Sequence, residues 1–178
     1  MIVALPLFVL GAFGGALEFI VDRRGLLLDK TGEHLVLSGA AMGIALVLAV
    51  PLGVWLGHLH RGSFVAINLA NVGRALPSLA VIAIGLGFLG FGFTNVLVAL
   101  VIVAVPPILT NAYVAVDEVE PEAVEAGRGM GMTRWQILRR VELPLALPLL
   151  FAGIRTAAVF VVATATIAAI AGGGGLGE

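Results

Sequence analysis

The histidines are the first residues whose type and spacing could support chemistry. His58 and His60 form a His-x-His pair, and His34 lies far from them in the sequence. A structural zinc site takes four ligands, and the chain has no cysteine to add to the two histidines. We therefore predict no metal site and interpret the pair as interface anchors at the end of an apolar segment.

Two glycine-rich stretches, 85–90 and 172–177, fit the pattern Gly-x-Gly-x-x-Gly. A dinucleotide site also needs a strand before the glycines and a helix after them, and neither stretch has that context. We interpret both as sites of helix packing or backbone flexibility. No phosphate-loop pattern occurs, and Lys30 is the only lysine. The sequence thus predicts neither an ATP site nor a bound cofactor.

The composition excludes several classes of protein. Of the 178 residues, 60% are hydrophobic and 12% charged, with a mean hydropathy of +1.12. A soluble domain carries about twice that charged fraction, and a disordered chain is polar. The net charge of −1 is too balanced for a protein that binds nucleic acid by releasing counterions. What remains is a membrane protein of one domain.

Most charged side chains lie in two stretches, 22–34 and 117–143, and the rest of the chain forms long apolar runs. A helix needs about 20 apolar residues to cross a bilayer. We therefore predict an all-α, polytopic membrane protein with five spans, approximately 2–21, 35–59, 76–91, 93–116 and 144–171. The third span is short, and the sequence around Pro77 and Ser78 indicates a broken or re-entrant start.

The orientation follows from the basic residues of the loops. The 117–143 loop carries four arginines and should be cytoplasmic, whereas the uncharged turn at 91–93 should lie outside. Counting spans places the turn at 58–61 in the cytoplasm and the 22–34 loop outside. The basic residues of the 22–34 loop conflict with that placement but are offset by neighbouring acids.

The 117–143 loop has the signals of a helix–turn–helix. Pro121 suits a first helical position, and Gly129 and Gly131 should end that helix. Thr133 and Gln136 read as a capping box for a second helix. We expect Pro144 to end this second helix and to start the last span.

The same loop resembles the EAA motif of ABC-importer permeases, which reads Glu-Ala-Ala, three residues, Gly, nine residues, Ile-x-Leu-Pro. Here the order is Glu125-Ala126-Gly127, then Gly131, then Val141-Glu142-Leu143-Pro144, and both spacings match. The departures are Gly127 in place of alanine and Val141 in place of isoleucine. Further stretches around 33–35, 75–80, 152–157 and 172–177 resemble the osmoprotectant branch of these permeases.

The resemblance covers 33–178, which we treat as a permease transmembrane domain with its EAA loop at 117–144; residues 1–32 would form an N-terminal membrane helix and an outside loop. It implies a type I importer permease that lacks its last helix, in the plasma (inner) membrane of a prokaryote. The expected role is to import glycine betaine, choline or carnitine without an ATPase site of its own. The residues implied to couple it to an ATPase are Glu125, Ala126, Gly127, Gly131, Trp135, Leu143 and Pro144.

The resemblance also implies the partners: cytosolic ABC ATPase subunits, an external or periplasmic solute-binding protein, a second copy or a homologous permease, and lipid, but no nucleic acid. An aromatic cage for a quaternary amine is not evident in the sequence. Three alternatives stay open. The first is the same type of permease for another solute, namely methionine, a sulfonate or nitrate. The second is an intramembrane enzyme using His58, His60 and Glu18, and the third is a structural or channel subunit.

Pro77, Ser78 and Arg155 are candidates for lining the solute pathway or the helix bundle. Arg155 would lie about 16 Å into the last span, from a rise of about 1.5 Å per residue. A charge at mid-bilayer is costly, so it should face the bundle or a watery path rather than lipid. A structural ion pair is the equal alternative for this residue.

Overall fold

A computed structural model describes residues 19–75 and 77–177, and every regular element in these ranges is helical. A short helical turn at 19–22 precedes the first long helix. The elements are α1 (Arg24–His58), α2 (Ser63–Ala75), α3 (Ser78–Leu89), α4 (Phe93–Asp117), α5 (Pro121–Gly129), α6 (Arg134–Ile137), a π-helix (Leu138–Glu142), α7 (Leu143–Ala168) and a 3₁₀ turn (Ala169–Ala171). The all-α prediction is confirmed.

Helix α4 is the centre of the bundle and contacts α1, α2, α3 and α7. Its partner face on α1 is a stripe of small residues at every fourth position: Ala41, Ala45, Ala49, Gly53 and Gly57. A side-chain carbon on Gly53 would lie 2.7 Å from the Leu109 carbonyl oxygen, and one on Gly57 would lie 2.6 Å from that of Tyr113. The small residues therefore let two backbones approach closely, as is typical of helices packed in a membrane.

Three stretches are long and apolar enough to cross a membrane: Arg24–His58, Phe93–Asp117 and Arg134–Ala171. The α3 helix, Ser78–Leu89, is apolar but shorter. Many large apolar side chains point outward from the bundle, which suits a lipid or protein environment. The predicted first span, 2–21, lies almost wholly outside the described residues.

The 22–34 segment is not a loop, so that prediction is wrong. From Arg24 onward these residues form the start of α1, which runs unbroken to His58. Charged residues do not end a helix that projects into water, and this stretch contains no proline. Its 35 residues span about 52 Å at 1.5 Å per residue, which exceeds the roughly 30 Å apolar core of a bilayer.

The predicted break before the third span is present. Helix α2 ends at Ala75, and α3 begins at Ser78 after Pro77, whose backbone is extended with φ −68° and ψ 120°. Proline cannot continue the helix that precedes it, because it lacks an N–H and crowds the previous turn. The α2 helix itself was not predicted.

Pro144 does not end the second helix of the loop, contrary to expectation. The chain stays helical from Arg134 to Ala168 because Leu138–Glu142 adopts a π-helix just before the proline. A wider π turn changes the hydrogen-bond register, so it accommodates a residue that has no N–H. The loop helix and the last span therefore form one continuous rod.

The bundle has two distinct ends. At the loop end lie the C-terminus of α1 with His58 and His60, and the 117–143 loop. At the glycine end, 172–175 packs against the turn at 91–93 and against Glu33. These two ends agree with the predicted pairing of loops on opposite faces.

Candidate functional site

The 117–143 loop forms the predicted helix–turn–helix. Pro121 occupies the first turn of α5, which ends at Gly129, and Gly131 follows with φ +78°, a left-handed conformation that favours glycine. The Thr133 backbone N–H donates to Gln136 Oε1 at 2.8 Å, and the Gln136 N–H donates to Thr133 Oγ1 at 3.4 Å. This capping box defines the start of α6.

The loop exposes a mixed apolar and acidic surface, which we call the loop patch: Glu125, Ala126, Met130, Gly131 and Trp135. Met130 is 69% exposed and Trp135 57% exposed. The Arg139 guanidinium lies 5.8 Å from the centre of the Trp135 ring, within the range of a cation–π contact. Exposed large apolar side chains beside charges are typical of a docking surface.

The remaining residues of the motif lie behind or beside the loop patch. Gly127 is buried, and a side-chain carbon there would meet Ile137, Met132 and Val141 at 3.6 Å, an ordinary contact distance. The space for the family's alanine is therefore present. Leu143 is half-buried and Pro144 exposed at the junction with α7. Glu125, Ala126, Gly131 and Trp135 are thus all exposed in the loop, whereas Leu143 and Pro144 lie at its junction with α7.

A buried acid–histidine pair fastens the loop to the bundle. His58 Nδ1 lies 2.6 Å from Glu142 Oε2, with the two side chains 11% and 3% exposed. Glu142 belongs to the π-helix, so the contact joins the end of α1 to the rod that continues into α7. A buried polar pair of this kind stabilises only when both members are present.

A second, more exposed pair lies close by: His60 Nδ1 is 2.9 Å from Asp117 Oδ1. Sequence reasoning located both histidines at a helix end but missed their carboxylate partners. The spacing gives no signal for them, because 84 residues separate His58 from Glu142. In the described part of the chain, no group of three or more metal-ligating side chains gathers.

A cavity of about 630 Å³ opens among α2, α3, α4 and α7, and two of its lining residues, Thr156 and Phe160, are exposed. Its polar lining comes from Ser78, Thr110, Asn111, Thr156 and Thr164. Of the predicted pathway residues, Ser78 lines this cavity and Pro77 is exposed beside it. Arg155 lies exposed on α7, outside that lining, and has no ion-pair partner among the described residues.

The glycine run is a packing device. The Gly175 N–H donates to Glu33 Oε2 at 3.0 Å, and Lys30 Nζ lies 3.1 Å from the same oxygen. A side-chain carbon on Gly173 would lie 2.8 Å from Val96. In the other glycine stretch, a carbon on Gly85 would overlap the Asn95 amide. Both stretches therefore serve close packing, as predicted.

Comparisons with known proteins agree with the EAA resemblance. Residues 49–178 match the family described as the binding-protein-dependent transport system inner membrane component. Three relatives are the glycine betaine/carnitine/choline permease OpuCB and the choline permease OpuBB of Bacillus subtilis, and the osmoprotectant permease OsmW of Salmonella typhimurium. OpuCB is 43% identical over 91% of this chain and 75% of its own length. OpuBB is 42% identical over 90% of this chain and 74% of its own length. OsmW is 38% identical over 90% of this chain and 77% of its own length.

Among solved structures, a chain of the inward-facing MetNI methionine ABC transporter superposes with a TM-score of 0.72 at 26% identity. The alignment covers 88% of this chain and 79% of that one. Sequence motif, helical fold and relatives all agree: the chain belongs to the family of binding-protein-dependent transport system inner membrane components, and is an ABC-importer permease of the membrane.

Proposed function

We propose that this chain is the membrane-spanning subunit of an ATP-driven importer in the prokaryotic plasma membrane, and that its solute is an osmoprotectant-type quaternary amine. An external binding protein would deliver the solute, and separate ATPase subunits would supply the energy. The observation that carries this proposal is the 43% identity, over 91% of the chain, to a permease for glycine betaine, carnitine and choline.

The loop patch is the proposed docking site for the ATPase, and the loop end would then face the cytoplasm. Met130 and Trp135 offer apolar contact area, and Glu125 offers a charge beside them. Buried aromatic anchors supply much of the energy of protein interfaces. Gly131, in its left-handed conformation, allows the sharp turn that presents this surface.

The connections behind the patch make it suitable for transmitting force. The unbroken rod from Arg134 to Ala168 joins the loop to the last span, and the His58–Glu142 contact joins it to α1. Closure of two ATPases would then move both helices together, as a rigid body. A second permease copy, or a homologous permease, would complete the pathway.

Uptake by the reconstituted complex tests this proposal. Proteoliposomes holding the permease, its ATPase and its binding protein should take up labelled glycine betaine, choline or carnitine when ATP is inside. Glu125→Lys should abolish uptake and co-purification of the ATPase, whereas Glu118→Lys, an equal charge change at an exposed position outside the patch, should leave both unchanged. Equal uptake by the two variants would refute the docking role.

Methionine is the second candidate solute, because a chain of the MetNI methionine transporter is a structural neighbour of this one. The same proteoliposomes distinguish the two candidates when labelled methionine is supplied with the binding protein. Uptake of methionine but of no quaternary amine would replace the first proposal with the second.

A further inference from the structure

The cavity among α2, α3, α4 and α7 has the size of a small-solute site. Its volume of about 630 Å³ lies within the range of small-ligand pockets. Thr156 lies thirteen residues beyond Leu143, where α7 begins, which places it about 20 Å along that helix at 1.5 Å per residue. The cavity is therefore near the middle of the membrane-spanning part.

Several hydroxyl and amide groups inside the cavity already donate to the backbone. Thr110 donates to the Ala66 carbonyl at 3.3 Å, Thr156 to that of Ala152 at 2.9 Å, and Asn111 to that of Pro107 at 2.8 Å. Their oxygens remain available as acceptors. These three groups therefore give the cavity wall an acceptor character on the α4 and α7 side.

Other donors in the cavity have no partner. Thr164 is only 8% exposed and lines the cavity, yet its hydroxyl makes no hydrogen bond with any residue that the structure describes. Because this hydroxyl is accessible from the cavity and makes no such bond, it is free to donate to a ligand or to water there. Ser78 lines the same cavity at the first residue of α3, where the first backbone N–H groups have no carbonyl of their own helix to bind.

The two prolines of α4 add backbone acceptors. Because Pro106 and Pro107 lack an N–H, the carbonyls of Ile102 and Val103 lose their usual helical partners. Val103 is part of the cavity wall. In a membrane such unpaired backbone groups persist only where they face protein or a polar cavity.

The cavity thus offers dipoles of both signs but no ionisable side chain among the described residues that line it. A solute with a net charge would give up part of its hydration there and meet no counter-charge, which costs free energy. A zwitterion instead brings its own two charges, each of which local dipoles can stabilise. Phe160 adds an aromatic face for a quaternary ammonium, which needs no hydrogen bond.

We propose that this cavity is a transient binding site, within a single permease chain, for a net-neutral zwitterion that carries a quaternary ammonium and a carboxylate. The carboxylate accepts from the Thr164 hydroxyl and from the Ser78 end of α3. The ammonium lies against Phe160 and the acceptor side of α4. The inference rests on the proposed function, and it predicts that the permease itself prefers glycine betaine to the cation choline.

Direct binding tests the site without the binding protein. Labelled glycine betaine and choline are titrated onto the purified permease–ATPase complex in nanodiscs. We expect Thr164→Val to weaken glycine betaine binding about tenfold, the usual effect of losing a hydrogen bond to a charged group, and to leave choline binding within about twofold. Thr164→Ser keeps the hydroxyl and should restore binding.

Two matched variants on the same helix serve as controls. Thr166→Val removes an exposed hydroxyl that donates to the Val162 carbonyl and lies outside the cavity lining, so binding should not change. Phe160→Leu should weaken binding of both solutes, whereas Phe151→Leu, at an exposed position off the cavity, should not. Thermal unfolding of each variant separates lost binding from lost folding.

The outcomes keep the two proposals apart. The proposed site is overturned if Thr164→Val and Thr166→Val bind glycine betaine equally well. It is also overturned if the wild-type complex binds glycine betaine and choline with equal affinity. In either case, reconstituted uptake would still support the transport function. Failure of the wild-type complex to import any quaternary amine overturns the transport proposal itself. Retained folding with lost binding in Thr164→Val, and rescue by serine, supports the site.

Discussion

The two ends of the bundle are stabilised by different interactions. At the loop end, buried polar groups are matched, because Glu142 and His58 pair at 2.6 Å and a capping box begins α6. At the glycine end, the backbone of the glycine run packs so closely against neighbouring side chains that a larger residue would not fit at Gly173. There the buried His34 Nδ1, Ser38 Oγ and Asn95 Oδ1 have no hydrogen-bond partner among the described residues.

This difference indicates which end is built to stay fixed. A satisfied buried pair resists separation, because parting it leaves buried polar groups without a hydrogen-bond partner. Each unpaired buried polar atom instead costs about 1–3 kcal/mol, which favours conformations that bring in water or another partner. We therefore expect separation of the helices to cost more free energy at the loop end than at the glycine end.

The largest expected effect is on thiol labelling, because cysteines at the two ends of the bundle should be accessible from opposite sides of the membrane. The chain has no cysteine, so single cysteines give a clean background. Met130→Cys at the loop end should react with an impermeant thiol reagent only from the cytoplasmic side. Phe91→Cys at the glycine end, where the side chain is exposed, should react only from outside. Reversed labelling would overturn the orientation and the docking proposal with it.

The next effect tests the matched pair at the loop end. Glu142→Ala should lower the free energy of unfolding by about 1–3 kcal/mol, because the largely buried His58 loses its hydrogen-bond partner. Asp117→Ala, which breaks the more exposed pair with His60, should cost at most about 1 kcal/mol. Thermal unfolding of the purified chain in detergent measures both, and equal losses would contradict the distinction between the pairs.

At the glycine end, Gly173→Ala should destabilise the fold by about 1–3 kcal/mol through overpacking. The new carbon would lie 2.8 Å from Val96. Gly32→Ala is the matched control on α1, where no atom lies within 4 Å of the added carbon. That control should be neutral or slightly stabilising in the same unfolding measurement, and a loss in both variants would argue against close packing as the cause.

The capping box predicts a smaller, local effect. Thr133→Ala removes the oxygen that accepts from the Gln136 N–H and should cost about 1 kcal/mol. Hydrogen exchange of the α6 amides should rise, while exchange in α4 stays unchanged. Thr133→Ser, which keeps the hydroxyl, should behave like the original chain, and failure of that rescue would show that the cap is not the cause.

The smallest effect concerns the departure from the family motif. Gly127→Ala should raise the free energy of unfolding by about 0.5–1 kcal/mol, because alanine favours the helix and its side chain meets neighbours at 3.6 Å. Uptake by the reconstituted complex should be unchanged. A loss of stability would mean that the loop needs glycine at this position.

The parts of the fold that the sequence predicted well are those with local causes. The end of α5 near Gly129 and the start of α6 at Thr133 follow from neighbouring residues and agree with the structure. Helices α4 and α7 also match the predicted spans closely, and α1 ends where predicted but begins eleven residues earlier. Hydropathy does not reveal α2, because this helix is only 13 residues long and carries polar side chains. The charges of the 22–34 segment are not a loop signal, because a helix continues through them.

The candidate site divides in the same way. The family motif indicated Glu125, Gly131 and Trp135, and all three residues are exposed in the loop. Arg155 was expected to face the bundle or a watery path, but it lies exposed on a single chain, and the cavity is lined by neutral residues. No pattern in the sequence indicated that Thr164 and Ser78 line the same space.

The sequence by itself determined that the chain is helical, membrane-embedded and divided by a capped loop, because hydropathy, proline and capping act within a few residues. Tertiary structure alone decided which distant residues meet. His58 reaches Glu142 across 84 residues, and Glu33 binds the Gly175 backbone across 142. The physical reason is that each such contact depends on how α1, α4 and α7 pack side by side. That packing depends on the stripe of small residues on α1, and the sequence alone does not show that this stripe packs against α4.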